Sequence, residues 1–86
     1  MKVEMKKFGE LLVSRPAGKE AFLVFEAYFK PRDSQELIEL DFTGVKVLAP
    51  SWIDEFFQGL KAKYGDRVVF LESSNPSVIE SLKAIE

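Results

Sequence analysis

The stretch that most constrains the fold runs from Ile38 to Leu60, because its hydrophobic period changes once along its length. Ile38, Leu40 and Phe42 alternate with Glu39 and Asp41, the period-two pattern of a strand with one buried side. From Trp52 the spacing becomes helical. Trp52, Ile53, Phe56, Phe57 and Leu60 fill one face, while Asp54, Glu55, Gln58 and Lys61 fill the other. Thr43 to Ser51, with a Gly and a Pro, reads as the turn between them. A strand, a tight crossover and a helix in this order make an α/β unit.

The flanking sequence extends the unit on both sides. Residues 2–8 place Val3, Met5 and Phe8 against Lys2, Glu4 and Lys6 and are expected to form a first strand. Gly9-Glu10 then predicts a type II′ reversal into a short antiparallel strand at Leu11, Leu12 and Val13. Ser14 suits a helix N-cap and Pro16 the first turn, giving a helix to about Lys30 that stops before Pro31. Its expected core stripe is Ala21, Phe22, Val24, Phe25, Tyr28 and Phe29, with Leu23 left on the polar side either as an ordinary exposed residue or for a partner. Pro31 to Gln35 reads as a polar loop.

After the central unit, Gly65 suits a left-handed C-cap, and Val68 to Leu71 read as a strand covered on both faces. Asn75 and Pro76 then open a third helix whose apolar stripe is Val78, Ile79, Leu82 and Ile85. The expected architecture is one small α/β domain over residues 1–86, ordered β-β-α-β-α-β-α, with a four-stranded mixed sheet and three helices packed on it.

Composition narrows the chemistry. In 86 residues there is no His and no Cys, which removes the usual bases, nucleophiles and soft metal ligands and leaves carboxylates, Ser, Lys and Tyr. Asp41, at a strand end, faces solvent or caps the Thr43-Gly44 turn, and Asp54 and Glu55 lie on a wet helix face. Phosphate-loop, dinucleotide and calcium-loop spacings do not occur, so the expectation is no enzyme and no cofactor. A net charge of -2 without a basic stripe argues against nucleic acid. The longest apolar run, Ala21 to Phe25, falls far short of the ~20 residues that span a bilayer, which with the lack of cysteine points to a soluble, cytoplasmic protein.

The order of elements, with Gly9-Glu10-Leu11, Ser14-Arg15, Asp41-Phe42-Thr43-Gly44-Val45 and Ser51-Trp52-Ile53-Asp54-Glu55, resembles the STAS superfamily from Val3 to Ile85, and within it the STAS-like domains of unknown function. The resemblance implies a relation to anti-sigma-factor antagonists. These bind a histidine-kinase-like ATPase, the anti-sigma factor, and are phosphorylated by it on a serine at the start of the second helix. Their Asp-Ser-Ser-Gly-Leu hallmark falls here on Ala49, Pro50, Ser51, Trp52 and Ile53, so Pro50 stands at the acceptor position and only the second serine is kept, as Ser51.

Three readings of Ser51 follow. It caps the second helix, with Asp54 as the acid of a capping box; it is a shifted phosphoacceptor; or the helix start holds a small anion. The expected function is a regulatory module that docks a protein partner through Ser51, Asp54, Glu55 and Gln58, with Lys61 at the edge of the face. The alternative is a small-anion or nucleotide sensor binding at the same helix start. Oligomeric state stays open, because the apolar residues of the first helix could serve either the core or a dimer.

Overall fold

A computed structural model of the chain describes residues 1–31, 33 and 35–85. The elements are β1 (Lys2–Glu4), β2 (Leu11–Leu12), α1 (Arg15–Tyr28), β3 (Ile38–Asp41), β4 (Val47–Leu48), α2 (Pro50–Tyr64), β5 (Val68–Phe70) and α3 (Pro76–Ile85). Short 3-10 turns occupy Met5–Phe8 and Gly65–Arg67. The loop expected over Pro31 to Gln35 includes Arg32 and Ser34, which lie outside the described residues.

The expected four-stranded mixed sheet is replaced by two parallel ones. A three-stranded sheet has the order β1-β3-β5, and β2 pairs with β4 in a separate two-stranded sheet. No hairpin forms at Gly9-Glu10. Residues 2–8 do not remain extended, because Met5–Phe8 curl into a 3-10 turn. A strand would send Met5 and Phe8 to opposite faces, whereas in a 3-10 turn residues three apart eclipse and both can face the core. Met5 is fully buried, and the Phe8 ring lies 5.4 Å from Phe56 and 6.3 Å from both Trp52 and Phe29.

The curl carries the chain away from β1 before Leu11. Gly9 stands at φ 131 and its N–H donates to the Lys6 carbonyl. Leu11 and Leu12 then align with Val47 and Leu48 in the supposed turn after β3. Lys46 and Val47 donate their N–H groups to the Glu10 carbonyl, and Ala49 donates to Leu12. Leu12 and Leu48 are buried while their neighbours Leu11 and Val47 are exposed.

Strand β3 follows its pattern, with Ile38, Leu40 and Phe42 buried. Parallel register aligns Leu40 with Val3 and Phe70, so these three contribute to one face of the sheet, and Lys2, Glu4, Glu39 and Asp41 to the other. Strand β5 is not covered on both faces as expected. It is an edge strand whose residues are all half-buried, and its Phe70 packs 5.0 Å from the Phe57 ring.

Helix α1 packs along α2 through Gly18, Ala21, Phe22 and Phe25. The Phe25 ring sits 6.1 Å from Phe56 and stacks 5.3 Å from Phe29. Two residues assigned to that stripe are outside it, Val24 being 41% and Tyr28 80% exposed, beside Leu23 at 57%. The buried stripe is narrower because Gly18 lets the helix backbones come together. A Cβ at that position would stand 2.3 Å from the Trp52 carbonyl oxygen. The last residues of α2 lead to Gly65, which has the expected positive φ of 60 but a ψ of -132, outside the left-handed helical region.

Helix α3 begins as its sequence suggests. The Asn75 side-chain oxygen accepts from Ser77 N–H at 2.8 Å. The same side chain then reaches across the fold, its amide donating to the carbonyls of Val45 at 2.9 Å and Lys46 at 3.1 Å. Ser77 Oγ both accepts from Leu48 N–H and donates to the Leu48 carbonyl, and Ser81 Oγ donates to that carbonyl as well. Three side chains of the α3 segment therefore satisfy the backbone of the β4 corner, which fixes where α2 begins.

Candidate functional site

The corner Val47 to Ser51 delivers the start of α2 to the surface. Pro50 is its first helical residue, where a missing N–H costs nothing, and Ala49 is the N-cap. The capping role expected of Ser51 is not observed. Ala49 has no side chain able to cap, Ser51 lies one residue inside the helix, and no side-chain cap bond is present. Pro50 shifts the boundary, because a proline is favoured at the first helical position and drives its predecessor out of the helical region. Ala49 accordingly has extended dihedrals, φ -98 and ψ 143. The half-buried Ser51 hydroxyl makes no hydrogen bond among the described residues.

Asp54, Glu55 and Gln58 share the outward side of the first turns of α2. Asp54 and Glu55 are half-buried and Gln58 is exposed. What joins them is Arg15, which the sequence reading treated only as part of the opening of α1. Its Nη1 stands 2.9 Å from Asp54 Oδ2 and 2.9 Å from Glu55 Oε2. Gln58 Nε2 donates to Asp54 Oδ1 at 3.5 Å. The Arg15 guanidinium, with Gln58 adding a bond, holds the Asp54 carboxyl below its usual range, and the two carboxylates raise Arg15 in turn. Arg15 could not be found from α2 alone. Ser14 caps α1 by accepting from Ala17 N–H at 3.3 Å, and the close packing of the two helices brings the residue after that cap to the acids of α2.

Lys61 is exposed one turn beyond Gln58, its ammonium 5.9 Å from the centre of the Phe57 ring. Beside the corner, the outer side of the β2–β4 pair carries Leu11 at 64%, Val13 at 45% and Val47 at 42% exposure. Asp41 lies elsewhere, at the end of β3, and caps the Thr43-Gly44 turn as one of its two readings required. Its Oδ1 accepts from Thr43 N–H at 3.0 Å and Thr43 Oγ1 at 2.7 Å, while Oδ2 pairs with Lys2 at 3.2 Å. The Thr43 bonds, with Lys2 adding to them, hold the Asp41 carboxyl below its usual range.

Among the described residues no cluster of His, Cys, Asp and Glu could hold a metal ion, and no helix is long and apolar enough to cross a membrane.

Parallel strands, short crossovers and a helix start displayed at a corner define a small α/β domain of the STAS-like kind. The chain belongs to the family described as a STAS-like domain of unknown function, whose match spans residues 24–78. That match runs from within α1 into α3 and includes Ser51, Asp54, Glu55 and Gln58; Arg15 lies before it. No curated protein and no solved structure matches the chain.

Proposed function

We propose that this chain is a non-enzymatic regulatory module that docks a protein partner through the start and outward side of α2. The observation that carries the reading is the exposed apolar trio Leu11, Val13 and Val47 next to a polar face held in shape by Arg15. Apolar area supplies most of the gain on association, and a charged rim limits it to a matching partner. A fixed pair of carboxylates also costs less to order on binding than two free side chains. Ser51, Asp54, Glu55 and Gln58 are the contact residues of this reading, and Lys61 extends it.

The relation to anti-sigma-factor antagonists makes a histidine-kinase-like ATPase or another anti-sigma factor the partner class. Pro50 stands where that relation has its acceptor serine, so a switch of this kind would use Ser51 as a shifted phosphoacceptor. A phosphate there would gain from the helix N-terminus and lose to Asp54 and Glu55, adding roughly two negative charges to a face that already has two carboxylates. Docking would then weaken, which is the sense of a switch.

Capture from lysate of the source cells, with the partner identified by mass spectrometry, tests the reading. Recovery of a histidine-kinase-like ATPase by the native chain but not by a Val47→Asp, Asp54→Lys variant is the expected result. Equal recovery by both, or recovery of no such ATPase, counts against it. Intact-mass analysis of the protein from the same cells tests the switch, since a phosphate mapped elsewhere than Ser51, or none, removes it.

A further inference from the structure

A second feature lies at the other side of the crossover, where the C-terminal ends of β1 and β3 meet. Parallel pairing of Glu4 with Asp41 brings the Met5–Phe8 turn against the Thr43-Gly44 turn. Between them is an open cleft of about 670 Å³ lined by three lysines, Lys2, Lys6 and Lys7, by two carboxylates, Glu4 and Asp41, and by Thr43 and Gly44. This is the end of a parallel sheet at which α/β folds generally take ligands, and the size falls within the ~300–1,000 Å³ usual for small molecules.

The lysines are unequally occupied. Lys2 is committed to Asp41 at 3.2 Å. Lys7 meets Glu4 only at 4.0 Å, with both side chains more than 60% exposed, a pairing worth little. The Lys6 ammonium makes no ion pair or hydrogen bond among the described residues. Its aliphatic stem nevertheless has a fixed seat. Gly44 stands at φ 89, and a Cβ on it would lie 2.6 Å from Lys6 Cδ, so the stem crosses directly over the glycine. The Gly44 N–H has no partner among the described residues. The cleft thus offers one uncompensated ammonium, a second weakly held one and a free backbone donor.

We propose that this cleft binds a soluble phosphate monoester, with Lys6 and Lys7 meeting the phosphate and the Gly44 N–H completing its contacts. A dianion matches the two available ammonium groups, and lysine recognises phosphate as a point charge without requiring fixed geometry. The remaining volume receives the organic part of the ester. The start of α2 is the poorer anion site despite its dipole, because Asp54 and Glu55 there share the single Arg15, whereas in the cleft three lysines stand against Glu4 and Asp41. This ligand site is independent of the partner-docking face.

The test is amide-resolved titration of the ¹⁵N-labelled full chain with inorganic phosphate and glycerol 3-phosphate, at constant ionic strength set with sodium chloride. Saturable shifts at Lys6, Thr43 and Gly44 are expected, weakened by about tenfold in Lys6→Gln, as befits loss of one charge-assisted contact. Lys46→Gln, whose lysine pairs with Glu10 at 3.7 Å outside the cleft, should leave the affinity unchanged. Matching thermal midpoints would show that both variants fold. The proposal is overturned by shifts that rise linearly without saturation, by equal weakening in the two variants, or by binding to phosphatidic-acid vesicles without binding to glycerol 3-phosphate.

Discussion

Replacing Gly18 by alanine sets helix propensity directly against packing. In a helix interior alanine is favoured over glycine by about 1 kcal/mol, so propensity alone makes the variant more stable. The structure reverses the sign. The new methyl would stand 2.3 Å from the Trp52 carbonyl oxygen and about 3 Å from that residue's backbone carbons, where ordinary contact begins near 3.4 Å. These are backbone atoms of α2, so no rotamer change removes the clash, and the helices must separate by about 1 Å along the seam that holds Phe25 and Phe56. Overpacking of a close seam costs ~1–3 kcal/mol, occasionally more, and helix–helix separation puts the result at or above the upper end. The net destabilisation is about 2 kcal/mol after the propensity gain, or a fall in melting temperature of roughly 8–16 °C for a chain of this size. Gly59→Ala is the internal control. The three atoms nearest its methyl all belong to the Phe22 ring, at 2.7–2.8 Å, and this half-buried side chain can shift about χ1 where the backbone of Trp52 cannot. With the propensity gain set against this adjustment, Gly59→Ala should lie within about 1 kcal/mol of the native chain. Urea and thermal unfolding of the three proteins provide the measurement. A Gly18→Ala protein as stable as the native one, or less affected than Gly59→Ala, refutes the close-approach argument.

Ser51→Ala should change stability by less than about 0.5 kcal/mol, because no cap is lost; a loss near 1 kcal/mol would mean that the hydroxyl does cap α2. Asn75→Ala removes a real cap and two bonds to the Val45 and Lys46 carbonyls, and should cost about 2 kcal/mol in chemical denaturation, against nearly nothing if the corner stands without it. Asp41 gives an acid-side pH dependence. Its folded pKa lies below the ordinary 3.8, so its contribution is present above the unfolded value and fades as pH falls through the folded one. The difference in urea midpoint between native chain and Asp41→Asn should therefore shrink on titration from pH 5 towards pH 2, and a constant difference over that range would show that ionisation of Asp41 contributes nothing.

The three helices were legible because each has a long apolar period and local stop signals. Asn75-Pro76 and Ser14-Arg15-Pro16 marked starts that the structure reproduces, and the alternation of Ile38, Leu40 and Phe42 gave β3. The candidate site was half legible. Asp54, Glu55 and Gln58 could be placed on one side of a helix by spacing, but nothing in their neighbourhood pointed to Arg15, which lies 39 residues from Asp54 along the chain. The N-cap of α2 lies two positions before Ser51, at Ala49. A serine before a helical run and a proline at its first position are both good start signals, and here the proline decided.

Strand partnership is where sequence stopped informing. Leu11–Leu12 and Val47–Leu48 are two residues each, too short to carry a period, and a Gly-Glu pair between apolar runs has the local signature of a hairpin. The chain joins them in parallel instead because the 3-10 turn buries Met5 and Phe8 together, and because Leu12 and Leu48 then go inward as a pair. Local periodicity and cap chemistry, acting within a few residues, settled which segments became helices. Which strands met, how far α1 sank onto α2 and what became of Val24 and Tyr28 were decided by apolar surfaces distant along the chain competing for one small core.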